Sequence, residues 1–491
     1  MSLDFHLVSS FKMIQFNRRL RKSVSVSLLV LLLGMQFAVC PVEALERIDA
    51  SGSEPSSKTS GTETGHLNDL LQIDREIMLK SINLHQLIAR SETEALKKYR
   101  FRKWIDIAGQ ETSAAGLLAA TAVGVDELGP KLNRPLAIRI NRLKRGLNAG
   151  IVTSIIGASA SASQLGLDVV NRVREGKEGY SPGAVRKRFV AGMLELDQLY
   201  AKRARLLQDS DELLKSDVVA AATELLLVRR ELLVKEFMEV HCYRSSVNTA
   251  QAVFYGFDIT RNTTAAIGLN LFKKGLREPH LNEPGSIWII MSSAATIAGP
   301  WLSTGAGKVF AAVKRRNLKK KLKYNPELTI ADLTSARKKL RTALAKDGAS
   351  NVYARKIVRS EIMDDTSGLF QDRVKNELAR KEKFRRTAFQ QKLASAVIGG
   401  QFLAFGTISL NAWQRYGQNK RIIKFNKQLF ASNVVGLVGS SMAVGATGAA
   451  AIGGELNDWR LRKSKKSALD ILDEHIQRLE QVKGDLVQLS D

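Results

Sequence analysis

Residues 147–167 read LNAGIVTSIIGASASASQLGL, twenty-one residues without a charge. Within them Gly150, Ser154, Ala158, Ala162 and Gly166 recur at every fourth position. A four-residue step keeps side chains on nearly one face of a helix, so this stretch predicts a helix with one face stripped of bulk. Such a face lets two backbones approach closely, and in lipid that packing is a main source of helix association. In water each internal glycine would cost a helix about 1 kcal/mol relative to alanine.

Five more stretches share this composition, near 107–125, 248–272, 284–307, 393–414 and 428–454. Their ladders run through Gly116 and Gly124, Gly256 and Gly268, Gly299 and Gly307, Gly400, and Gly445 and Gly453. With Gly150, Ala158 and Gly166, these are the expected helix-packing positions. Leucine at Ala158 or Gly445 is expected to disrupt the packing.

The six arms pair into three hairpins, at 105–170, 248–312 and 392–455. Their second arms end at Gly166, Gly307 and Gly453, spaced by 141 and 146 residues. A Leu-rich amphipathic helix follows each hairpin and carries a common cue: Glu195-Leu196-Asp197, Ile330-Ala331-Asp332 and Ile471-Leu472-Asp473. A further helix before the first hairpin has Gln72-Ile73-Asp74. This order predicts a threefold internal repeat of roughly 140 residues. The fold class expected is all-α: three Gly/Ala-rich helical hairpins, membrane-embedded, joined by long amphipathic helices. In 466–489 the apolar positions follow coiled-coil-like 3–4 spacing.

The domain reading is a signal peptide at 1–44, a flexible linker at 45–67 and an amphipathic helix at 68–104. Repeats follow at 105–247, 248–391 and 392–491. The first assignment rests on Asn17-Arg18-Arg19-Leu20-Arg21-Lys22, then an uncharged run at 23–39, then Val42-Glu43-Ala44. That is the basic, apolar and small-residue order of a secretory signal.

Composition agrees with this class. The chain has 491 residues, 44% of them hydrophobic, which excludes global disorder. Two cysteines exclude a disulfide scaffold, and nine prolines with 6% aromatics argue against a β-sandwich. The net charge is +27. Spanning a bilayer takes about 20 apolar residues. Residues 147–167, 284–307, 393–414 and 428–454 meet that length without a charge. The arms at 107–125 and 248–272 are weaker, flanked or interrupted by Asp106, Glu111, Asp126, Asp258 and Arg261. Turns 126–146, 273–283 and 415–427 hold 14 Lys and Arg, which places them on the cytoplasmic side.

Motifs for chemistry are sparse. None of His6, His66, His85, His241, His280 and His475 has a partner at metal-ligand spacing. His241-Cys242 lacks a second cysteine and reads as a buried structural thiol. Gly305-Ala306-Gly307-Lys308 resembles half of a phosphate loop. Leu302 and Val309 stand where that motif needs Gly and Ser/Thr, and no strand precedes it. No catalytic residue, cofactor or metal is therefore expected, and the chain does not read as an enzyme.

Two polar features stand out. Asp258 and Arg261 are three apart, on one helix face. If embedded, they form an intramembrane ion pair and a functional site; otherwise they are an ordinary surface contact. Lys314, Arg315, Arg316, Lys319, Lys320, Lys321 and Lys323 form the densest basic run. Anionic lipid head groups are its expected partner rather than nucleic acid; a solvated helix face is the plainer reading. Together these features predict an exported integral membrane protein of the cell envelope. Its expected role is structural or interaction-based, through self-association or an envelope protein partner. The alternatives are a channel or transporter-like conduit, and a soluble bundle in the periplasm or medium that binds an anionic partner.

Overall fold

The computed structural model describes residues 63–133, 139–210, 213, 215–322, 330–347, 392–416, 422–464 and 467–488. Among them there is no strand. Nine helices carry the account: α1 (Glu63–Leu128), α2 (Ile140–Lys177), α3 (Pro182–Gln208), α4 (Asp217–Gly275), α5 (Asn282–Leu322), α6 (Ile330–Asp347), α7 (Lys392–Tyr416), α8 (Ile422–Lys463) and α9 (Ala468–Gln488). The signal segment 1–44 lies outside the described residues. So does most of the linker 45–67, although residues 63–67 already belong to α1.

Helix starts follow local chemistry. Ser181 and Ser216 cap α3 and α4 by accepting from Ala184 N and Val219 N. Pro182 opens α3, where its missing N–H is not needed. Gly179, at φ 76°, takes the left-handed turn between α2 and α3.

Two environments are stacked along the molecule. One is a bundle with an ordinary apolar core. It is built from the first half of α1, α3, the first half of α4, the end of α5, α6 and α9. Leu70, Ile77, Phe189, Leu196, Leu225 and Phe237 are among its buried residues. Phe189 and Phe237 stack at 3.8 Å. Each such side chain contributes about 1.5–3 kcal/mol on burial. The Asp cue recurs here as a tether. Asp74 accepts from Arg203 Nε at 2.5 Å, with both side chains buried, and Asp197 accepts from Arg230 Nε at 2.7 Å.

The other environment is a closed circuit of six helix segments. The second halves of α1 and α4 join α2, α5, α7 and α8, and every neighbouring pair is antiparallel. Along α1 and α2, Gly109 faces Ala160, Gly116 faces Thr153 and Val123 faces Gly146. The numbers move seven residues up one helix and seven down the other. Gly157 and Ser161 of α2 face Asn262 and Asp258 of α4. Gly268 and Gly299 pair α4 with α5 through Ile289 and Phe257. Gly399 and Gly406 of α7 lie on Ile297 and Ile290 of α5. Gly436 and Gly439 of α8 lie on Phe405 and Gln401 of α7. Asn433 and Gly436 of α8 return to Gly124 and Thr121 of α1, which closes the circuit.

Both long helices run through the two environments without a break. At about 1.5 Å per residue, α1 (66 residues) spans about 100 Å and α4 (59 residues) about 90 Å. The domain boundaries drawn at 104 and 247 thus fall inside continuous helices. The composition changes there because the surroundings change, not because the chain turns.

Candidate functional site

The circuit has inverted polarity. Its buried positions include Ser113, Ser154, Ser161, Gln164, Asp258 and Asn262, while Val152, Ile155, Trp301, Leu403, Val438 and Ile452 are exposed. Many of the hydroxyls bond to their own helix four residues back, as in Thr264 to Thr260 O at 2.7 Å and Ser293 to Ile289 O at 2.7 Å. That habit satisfies a hydroxyl where water is absent. Among the described residues its apolar cluster is Leu269, Phe272, Ile289 and Phe405, packed by Leu117, Leu147 and Ile151, and Val253, Tyr255 and Phe257 are buried as well. The cluster brings together residues of α1, α2, α4, α5 and α7.

Nearer the bundle, a polar cluster joins α1, α2, α4 and α5. Asp258 is 4% exposed, so it is no surface contact. Its Oδ1 pairs with Arg261 Nη2 at 2.7 Å, and its Oδ2 accepts from Ser161 Oγ at 2.5 Å and Asn262 Nδ2 at 3.1 Å. Asn262 Oδ1 accepts from Ser113 Oγ at 2.7 Å. Arg261 Nη2 also donates to Gln110 Oε1 at 2.7 Å, and its backbone carbonyl accepts from Ser292 Oγ at 2.8 Å. Asp106 lies within electrostatic reach of both charges. The pair read from the sequence is thus the centre of a larger network. No sequence motif links Ser113, Ser161 and Asn262. Being polar residues inside otherwise apolar arms, they were the signal.

The small-residue ladders divide. Gly116, Gly124, Gly150, Gly268, Gly299 and Gly307 all meet a neighbouring helix at the position of a Cβ. Gly166, Gly256, Gly400, Gly445 and Gly453 meet nothing within 4 Å, and Ala158 is half-buried. The reason is angular. A four-residue step overshoots a turn by about 40°, so a ladder walks off the contact after two or three rungs. A seven-residue step drifts only about 20°, and several seam glycines follow it. Gly109 and Gly116, Gly150 and Gly157, Gly268 and Gly275, and Gly399 and Gly406 are seven apart, and each meets a neighbour. Leucine at Gly445 is therefore not expected to disturb these seams.

The basic run also divides. Lys314 is half-buried, donates to Ser245 Oγ at 3.0 Å and lies 4.8 Å from the centre of the Phe310 side chain. Arg315, Arg316, Lys319, Lys320 and Lys321 are exposed, and Lys323 lies outside the described residues. In the bundle, burial pushes the Cys242 thiol up, which fits an inert buried group. Burial, helped by Lys314, Arg186 and Arg244, pushes His241 down to about 3. Among the described residues no group of three or more His, Cys, Asp or Glu could hold a metal.

Four helical stretches are long and apolar enough to cross a membrane: those within 140–208, 279–322, 392–416 and 422–488. No protein-family model matches the chain, and neither a curated protein nor a solved structure is significantly similar to it.

Proposed function

We propose that this chain is an exported integral membrane protein of the cell envelope. The six-helix circuit sits in the bilayer and the apolar-cored bundle stands outside it. Its role is structural or interaction-based, with the circuit as anchor and the bundle as the part offered to partners, including further copies of the chain. One observation carries this reading: the circuit buries Ser, Thr, Asn and Asp and turns Val, Ile, Leu and Trp outward. In water that arrangement would forfeit apolar burial and expose apolar area; in lipid the same surface is solvated. The three hairpins α1/α2, α4/α5 and α7/α8 are, in this reading, three copies of one unit. The Asp258–Arg261 cluster locks four segments together.

The test is fractionation of membranes from cells expressing the full chain, washed with high salt, then alkaline carbonate, then detergent. Release by detergent alone is expected. Release by salt or carbonate would move the hairpins into a peripheral, soluble bundle.

A further inference from the structure

The outward faces of three circuit helices end in the same way where they meet the bundle. On α2, exposed Val169, Val170 and Val173 give way to Arg174 and Lys177. On α5, exposed Val309 and Val313 give way to Arg315, Arg316, Lys319 and Lys320. On α8, exposed Ile452, Leu456 and Trp459 give way to Arg460, Arg462 and Lys463.

Cross-helix contacts put these changes at one level. Arg244 of α4 donates to Glu175 of α2 at 2.9 Å and to the Ser91 carbonyl of α1 at 3.1 Å. Ser245, the next residue, accepts from Lys314 of α5. On α8, Gly448 faces Glu111 of the antiparallel α1. Residues 460–463 therefore lie beside the high nineties of α1, within about two turns of Ser91. Arg174, Lys177, Arg315, Arg316, Arg460 and Arg462 thus form a collar round the molecule, directly above its apolar belt.

The collar cations stay exposed, although Glu178 at the end of α2 and Glu455 and Asp458 on α8 stand near them. Helix α5 carries no acidic residue after Glu283. Arg174 does pair with Glu178 at 2.8 Å, but remains 71% exposed, and Arg462 reaches Glu455 only at 3.9 Å. Lys463 lies 5.3 Å from the Trp459 indole centre, an amphipathic pair suited to the edge of a bilayer. Along α2, Arg145 and Arg172 are 27 residues apart, about 40 Å. A bilayer with its head groups is about 40–45 Å thick.

We infer that this collar is a binding surface for anionic phospholipid head groups of the bundle-side leaflet. The inference rests on the membrane reading above. Cations spread over three helices at one level recruit several lipids at once and fix the depth and tilt of the circuit. Each cation close to an anionic surface is worth about a fivefold preference at low salt.

The test uses the full chain in nanodiscs of phosphatidylcholine with one-fifth phosphatidylglycerol. Lipids retained after mild delipidation are counted by native mass spectrometry. The wild type is expected to retain phosphatidylglycerol several-fold over its share of the mixture, and raising the salt tenfold is expected to reduce that enrichment steeply. The R315Q/R316Q/R460Q/R462Q variant changes four exposed side chains, of which Arg315 also reaches the buried Cys242 thiol. It is expected to lose most of the enrichment while keeping the wild-type helical circular dichroism. Enrichment that survives in this variant or is insensitive to salt overturns the collar, as does a wild type with no enrichment. Carbonate extraction of the same wild-type membranes separates the two levels: release there overturns the membrane reading itself, and the collar with it.

Discussion

Gly399 and Gly400 are neighbours on α7, and alanine should act oppositely at the two. A Cβ on Gly399 would lie 2.5 Å from Ile297 Cγ1 and 3.2 Å from both Ile297 N and the Ser293 carbonyl oxygen of α5. Carbon atoms pack best at about 3.5–4.0 Å. The Ile297 side chain can rotate, but the α5 backbone cannot, so α5 and α7 must part. Overpacking of this kind costs about 1–3 kcal/mol. A Cβ on Gly400 meets nothing within 4 Å. Both changes gain the same helix propensity, about 1 kcal/mol, so that contribution cancels in the comparison. Gly399→Ala should therefore fall below Gly400→Ala by about 1–3 kcal/mol. Gly400→Ala itself should match or exceed the wild type. The assay is thermal unfolding of the full chain in a mild detergent, followed by circular dichroism. Equal midpoints, or the reverse order, would refute the seven-residue packing argument.

Three further outcomes are expected. Asp258→Ala takes the carboxylate from Arg261 and from two neutral donors, Ser161 Oγ and Asn262 Nδ2, so detergent unfolding should show a loss of about 1.5–3 kcal/mol. The paired D258N/R261Q change should recover part of that, and a pair worse than the single would contradict the network. Arg203→Met leaves Asp74 buried without its cation, for a loss of about 3–5 kcal/mol by denaturant titration. Adding Asp74→Leu should restore most of it, and no restoration would show that the pair is not the unit. His241 is held neutral in the fold, with its pKa near 3, while the unfolded chain protonates near 6.5. Its contribution to stability is full above pH 6.5 and is lost as pH falls from there toward 3. That amounts to about 2 kcal/mol by pH 5. His241→Phe should flatten the fall in thermal midpoint between pH 7.5 and pH 5; an unchanged slope would count against it.

Much of the fold was legible because it depends on composition over long windows. Uncharged small-residue arms and Leu-rich amphipathic stretches mark the circuit and the bundle. The Asp cue was visible as a pattern, but its partners were not. Arg203 and Arg230 come to Asp74 and Asp197 only through the tertiary fold. Continuity of α1 and α4 is not legible from composition, which changes at 104 and 247 although the helices run on. No proline or glycine stands there to stop a helix. The packing face was half missed for a geometric reason. Rungs four apart look like one stripe on paper, yet Gly400 and Gly445 lie off the seam, while Gly399 and Gly406 lie on it. The polar cluster was legible only at Asp258 and Arg261, whose spacing is local. Ser161 is 97 residues from Asp258, and no short pattern links them.

Placement of the circuit in lipid is tested by Trp301, which is 51% exposed on α5 beside Lys392 of α7. A chain keeping only this tryptophan, with Trp104, Trp288, Trp413 and Trp459 changed to Phe, would be reconstituted into vesicles. Its fluorescence should be strongly quenched by brominated phosphatidylcholine and weakly by acrylamide in the water. Strong quenching by acrylamide with none by the brominated lipid would place this face in water and contradict the inverted-polarity account.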